Sequence, residues 1–366
     1  MNNNFLDELN APDKAGRLAA LASLVEAAGA GEVDIPEPDG NVNNHIHTTY
    51  SFSPYSPTKA VWCARQAKLS VAGIIDHDSV GGVEEFREAG RLIGMPTTAG
   101  FEIRASFPGT PLSEKRLNNP DQAGIGYMTV HALAEGGVAA AAAFLAPVGE
   151  AREARNRVMC ARMSRLAGIE VDYDRDVLPL SMKREGGSVT ERHLLCALAK
   201  KMLARDGKPE GDVYALFDLI GQLKAEFVER FYEPAGAGEC PDVRQLVRFC
   251  QEQDAYLAYA YLGDVTASVT GDKKAQAFED AYLDELFAAL DALGVRAISY
   301  MPARNTREQL VRVRGLCEKW GMLQISGEDI NSPRQPFISE ASKDPYFKNL
   351  KETTWQLVRH EQRRQP

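Results

Sequence analysis

Six histidines occur in this chain of 366 residues, and only His360 has an ordinary surface setting; the other five lie at the ends of apolar stretches or inside short polar motifs. The stretch Asn-Asn-His-Ile-His-Thr-Thr-Tyr-Ser sets His45 and His47 two residues apart. On a β-strand that spacing turns both imidazoles to one face, where two nitrogens can hold one divalent ion. The alternative is a pair of half-buried histidines bonded to backbone. Asp76, His77 and Asp78 follow an apolar run in Gly-Ile-Ile-Asp-His-Asp-Ser. A histidine between two carboxylates can ligate a metal while Asp76 or Asp78 orients its ring or handles a proton. Asp78 reads equally well as a helix N-cap. Glu102, in Thr-Thr-Ala-Gly-Phe-Glu-Ile-Arg, adds a carboxylate able to bridge two cations. His131 closes Ile-Gly-Tyr-Met-Thr-Val-His, and Asp329 follows the short apolar run of Ile-Ser-Gly-Glu-Asp-Ile-Asn-Ser. Mixed nitrogen and carboxylate donors suit Zn, Mn or Fe. The chemistry of such a set is activation of water for hydrolysis.

Those motifs need elements to carry them. Residues 1–30 are alanine-rich and helical in pattern, and a Pro/Asp/Gly-rich linker, Ile35 to Gly40, separates them from the rest of the chain. Strand patterns over Asn41–Tyr50, Val71–Asp76, Thr97–Ile103, Ile125–His131, Tyr256–Tyr261, Val295–Tyr300 and Leu323–Ser326 alternate with helical ones over Thr58–Lys68, Val80–Ile93, Val243–Gln253, Lys274–Leu293 and Thr306–Trp320. That alternation predicts a parallel sheet, and its number of units a barrel, with the motifs at the strand ends where barrel enzymes place their catalytic groups. The rhythm breaks between about 133 and 240, which reads as a helical insertion. The organisation expected is therefore an N-terminal helical extension and linker (1–40), a first barrel part (41–132), the insertion (133–240), and a second barrel part with a C-terminal tail (241–366). Within the insertion Arg152, Arg155, Arg157, Arg162 and Arg165 crowd one helical stretch, where a solvated surface is the expectation over guidance of an anionic substrate.

The net charge is −9, with 42 basic and 51 acidic residues. That balance argues against sequence-independent nucleic-acid binding, which needs clustered Lys and Arg. Six cysteines without a CxxC pair read as reduced thiols. The opening residues lack a basic segment followed by an apolar core, so no signal peptide is expected, and no apolar stretch is long enough to span a bilayer. A cytoplasmic protein is the expectation, with the oligomeric state left open.

The ordered set His-Ile-His-Thr-Thr-Tyr-Ser, Ile-Ile-Asp-His-Asp-Ser, Gly-Phe-Glu-Ile, the Val-His at 130–131 and a late Gly-x-Asp resembles the polymerase and histidinol phosphatase (PHP) superfamily, most closely its stand-alone metal-dependent phosphoesterases. The match over residues 41–104 is strong and that after 240 weak. The resemblance implies a distorted (β/α)7 TIM-like barrel with metals at the C-terminal strand ends, hydrolysing a small phosphate ester. It implies that His45, His47 and Asp329 hold a first metal, that Glu102 bridges to a second also held by His131, and that His77 ligates near a third. It places Arg192 and His193 near substrate phosphate, where a guanidinium suits bidentate binding. Three positions depart from the pattern: Phe52, Tyr261 and Asn331 stand where ligands are usual. Six candidate ligands remain, enough for one or two divalent ions, with Tyr261 or Asp264 as conceivable substitutes. Two other readings share the metal: hydrolysis of a C–N bond, and a non-catalytic module that the metal stabilises.

Overall fold

The computed structural model describes residues 4–119, 121–265, 276–338 and 340–363. Seven strands form one sheet in sequence order: β1 Asn41–Ile46, β2 Leu69–His77, β3 Thr97–Ser106, β4 Ile125–His131, β5 Tyr256–Ala260, β6 Ala297–Tyr300 and β7 Leu323–Ser326. The sheet curls nearly shut. Beyond β7 a single parallel bridge joins Ile330 to Ile46, through Ile330 N to His45 O (3.1 Å) and His47 N to Ile330 O (2.9 Å). This is the distorted seven-stranded barrel expected from the sequence.

Apolar runs bounded by turn residues set the strands, and the intervening amphipathic stretches become helices that cover them. Preceding and flanking β1 to β3 are α1 (Asn4–Glu8), α2 (Lys14–Gly29), α3 (Pro57–Gln66) and α4 (Val83–Ile93). Ser56 caps α3 by accepting from Lys59 N, and Pro57 supplies the fixed φ of the first helical position. Helix α2 is fastened to the barrel by a buried bidentate pair, Arg17 Nε and Nη2 to Glu85 at 2.8 and 2.6 Å.

The sheet departs from the all-parallel expectation at one place: β4 runs antiparallel to both β3 and β5. The reason is covalent. A parallel neighbour needs a long crossover, usually a helix, and the described residues between Ser106 and Ile125 contain none. Gly100 lets β4 come close, since a Cβ there would sit 1.8 Å from Val130 O.

Between β4 and β5 lie α5 (Val138–Ala167), α6 (Glu191–Arg205) and α7 (Val213–Phe231), with no strand among the described residues. They bury an apolar cluster of their own around Met159, Met163, Leu194, Leu198, Leu223 and Phe231. Then come α8 (Val243–Gln253), α9 (Leu283–Leu293) and α10 (Arg307–Trp320) around the second half of the barrel. The helical pattern anticipated from Lys274 is helical from Leu283, and residues 274–275 lie outside the described set. Finally α11 (Lys348–Gln362) closes the barrel floor, where Glu361 accepts from Ala99 N at 2.8 Å and pairs with Arg87. No helix among the described residues is long and apolar enough to cross a membrane.

Candidate metal centre

The end of β1 supplies His45, and His47 follows it directly. Their Nε2 atoms lie 3.1 Å apart, so the two-residue spacing does turn both rings to one point. Asp329 reaches the same point because the bridge at Ile330 sets its loop in register with β1. Its Oδ1 lies 3.3 Å from His47 Nε2. From the other side, β2 and β3 pair His77 with Glu102 directly across the sheet. Glu102 Oε2 is then 3.0 Å from His77 Nδ1 and 3.6 Å from Nε2 of both His45 and His47.

Two groups of potential ligands result: His45, His47 and Asp329, and His47, His77 and Glu102, each with its donor atoms within 4.8 Å of one another. His47 belongs to both. A nitrogen-nitrogen-carboxylate set with an open side fits a divalent cation of the Zn, Mn or Fe kind. The electrostatics agree. Burial pushes the Glu102 carboxyl upward, but His77 and His45 outweigh it and hold it well below its usual range. Asp329 is lowered in the same way, burial being overcome by His47 and His45. Burial, the largest influence, lowers His47 despite the opposing pull of Asp329. His45 is also pulled down by burial, yet Glu102 and Asp329 raise it overall, a charge that a bound cation would replace.

The remaining sequence candidates fall elsewhere. His131 ends β4, and because that strand runs backwards its last residue pairs with Tyr256 at the start of β5. It bonds Thr129 Oγ1 at 2.9 Å, belongs to neither ligand group, and is pushed by burial, then by His45, down to about 3. Tyr127, earlier on β4, is the residue that reaches the mouth, its ring 5.8 Å from that of His77. Asp76 is buried and accepts from Thr48 N (2.7 Å), Thr48 Oγ1 (2.6 Å) and Ser51 Oγ (2.7 Å). Asp78 sits in left-handed backbone (φ 49°) and pairs with Arg152; the N-cap of α4 is Gly82. Tyr261 donates to Asp280 Oδ1, and Asp264 accepts from Phe278 N, so both are tied into the loop after β5.

The centre opens into a cavity of about 510 Å³ whose far wall is the helical insertion. Arg192 lines it and donates to Asn331 Oδ1 at 2.8 Å, while Asn331 donates to Asp329 Oδ1 at 2.7 Å, linking the guanidinium to the ligand group. His193 is buried behind: its Nδ1 accepts from Thr190 N in the cap of α6, and burial pushes it down to about 3. Phe52 packs on His193 and Phe217, at ring distances of 4.9 and 5.3 Å.

Sequence reasoning missed the basic wall. Arg152 and Arg155 are buried rather than solvated, and with Arg104 they line the cavity. All three converge on Glu239: Arg155 at 2.5 and 2.8 Å, Arg152 at 3.4 Å, and Arg104 in contact. With Asp78 on Arg152, three guanidiniums meet two carboxylates, and Glu191, close to Arg152 and Arg155, adds a third. Burial first, then Arg104 and Arg152, push the Arg155 guanidinium down to about 10. The signal was present in α5: Val148, Arg152, Arg155, Met159 and Met163 recur every three or four residues, so both arginines lie on the buried stripe.

No known family profile matches the chain. A 5'-3' exoribonuclease of Haemophilus influenzae is 31% identical over 74 residues, 20% of this chain; the chain spans 27% of that relative's length. A candidate metal-dependent phosphoesterase from Bifidobacterium adolescentis superposes with a TM-score of 0.62 at 21% identity, covering 89% of this chain and 98% of that one. An amidohydrolase from Chromobacterium violaceum, solved with bound sulfate and no metal, superposes with a TM-score of 0.58 at 16% identity, covering 86% and 96%. Over most of its length, then, the chain has the distorted barrel fold of the PHP-like phosphoesterases.

Proposed function

We propose that the protein is a metal-dependent hydrolase of a small phosphate ester. One observation carries the reading: two ligand groups sharing His47 lie at the mouth of a barrel, facing a cavity whose other wall carries Arg104, Arg152, Arg155 and Arg192. His45, His47, His77, Glu102 and Asp329 would hold a divalent cation, which would supply activated water for hydrolysis. The chain's own residues do the rest. Arg192, held by Asn331 beside the ligand group, presents a guanidinium to phosphoryl oxygens. Arg104, Arg152 and Arg155 make the cavity favourable to an anion. The cavity volume suits a small ligand. Hydrolysis of a C–N bond is the second reading, supported by the fold of the Chromobacterium amidohydrolase; the basic wall favours the first.

The test is turnover by full-length protein loaded in turn with Mn, Zn and Fe, on a panel of phosphomonoesters, small diesters and a short oligoribonucleotide, with amides as the contrast. Phosphate release is expected from at least one small ester, with Arg192→Ala raising KM about tenfold or more, the loss of one charge-assisted contact. Turnover of amides alone, or of no ester with any of the three metals, would overturn the proposal.

A further inference from the structure

We propose that Asp76, acting through Ser51, fixes the tautomer of His47 and so turns a bare Nε2 toward the cation site. Asp76 is on this view a positioning residue, and the inference rests on the metal-centre reading above.

The argument is a count of protons. Asp76 is 1% exposed, and a carboxylate ringed by donors can only accept. It takes three hydrogen bonds, from Thr48 N and Ser51 Oγ on Oδ1, and from Thr48 Oγ1 on Oδ2. A hydroxyl has one proton, so Ser51 has given its own to Asp76 at 2.7 Å. The same Ser51 oxygen lies 3.4 Å from His47 Nδ1. With its proton committed, Ser51 can only accept there and draws the hydrogen to Nδ1, against the pull of Asp329 Oδ1 on a hydrogen at Nε2. A neutral imidazole has one N–H, which leaves Nε2 with a free lone pair. Nε2 is the atom that lies 3.1 Å from His45 Nε2, 3.3 Å from Asp329 Oδ1 and 3.6 Å from Glu102 Oε2, the common member of both ligand groups. Thr48 Oγ1 also accepts from Tyr50 N at 3.3 Å, so the turn over residues 48–51 is folded around Asp76. That turn joins the ends of β1 and β2 and keeps Ser51 in place.

Two measurements test this on the full chain. In metal-free wild-type protein labelled with ¹⁵N-histidine, two-bond ¹H–¹⁵N correlations read the tautomer of His47 without any substitution in the chain. The Nδ1–H form is expected, and a predominant Nε2–H form would overturn the inference. Zinc affinity by chelator competition is the second. Ser51→Ala is expected to weaken it about 10- to 100-fold, as loss of a partner behind a histidine ligand does, while Ser51→Thr restores the hydroxyl and most of the affinity. Equal zinc affinity in Ser51→Ala and wild type, or no recovery in Ser51→Thr, refutes the relay. If wild-type protein takes up no zinc, Mn or Fe, the hydrolase reading fails on its own account, and the wild-type tautomer still decides the proton count.

Discussion

Replacing Glu279 with glutamine is expected to raise stability above neutral pH and to flatten its pH dependence. Glu279 is fully buried just ahead of the turn Asp280–Tyr282. Its Oε1 accepts from Leu262 N at 2.8 Å and Gly263 N at 3.3 Å, holding the loop after β5 that lines the cavity, and its Oε2 has no hydrogen-bond partner among the described residues. Burial pushes the carboxyl from 4.5 to about 7, the backbone N–H groups opposing and Asp280 adding. The folded value thus exceeds the unfolded one. Its contribution to stability is complete below about pH 4.5 and is lost as pH rises through about 7. At about 1.36 kcal/mol per pH unit, that gap is worth about 3 kcal/mol at most. Glutamine keeps a carbonyl oxygen for Leu262 and Gly263 and has no charge to bury. Thermal unfolding of both proteins from about pH 5 to about pH 9 reads the difference. Glu328 and Glu361 are also pushed by burial to about 7 and tilt both curves alike, so only the gap between the curves counts. The curves are expected to converge at the acid end and separate by a few degrees at the alkaline end, the variant higher. Parallel curves, or a variant that melts lower than its parent at about pH 9, would refute the reasoning.

Two further outcomes concern the site and the core. His47→Ala, which removes the shared member of both ligand groups, is expected to abolish bound metal, whereas His131→Ala leaves the stoichiometry unchanged because His131 belongs to neither group; elemental analysis after dialysis decides, and metal loss in His131→Ala contradicts the geometry. Arg17→Met leaves Glu85 a buried carboxylate with only Thr58 beside it, and is expected to cost about 3–5 kcal/mol in denaturant unfolding. A cost under about 1 kcal/mol would show that Thr58 alone satisfies Glu85.

Much of this molecule is legible along the chain. A histidine pair two residues apart on a strand must share a face, and the apolar runs and caps place seven strands and most helices within a few residues of where they lie. His45, His47, His77, Glu102 and Asp329 could be named in advance because each sits beside a strand end, and neighbouring parallel strands bring their ends to one mouth. His131 was named by the same rule and lies outside both ligand groups, since strand direction is a property of the pairing and not of the residues within the strand. The reversal of β4 comes from a connection without a helix, and it sets Tyr127 beside His77.

The basic wall shows the same division. The stripe of α5 carries Arg152 and Arg155 at helical spacing, but whether that stripe meets water or Glu239 depends on how the insertion docks on the barrel. Asp76 likewise reads as a candidate acid or base until the turn over residues 48–51 folds onto it and occupies both its oxygens. Local spacing alone determined which side chains could share a face and which chemistry they could carry. Which of them meet, and which charges are buried together, was decided only by the tertiary structure, because those contacts join residues from more than twenty to nearly three hundred positions apart and no local preference encodes them.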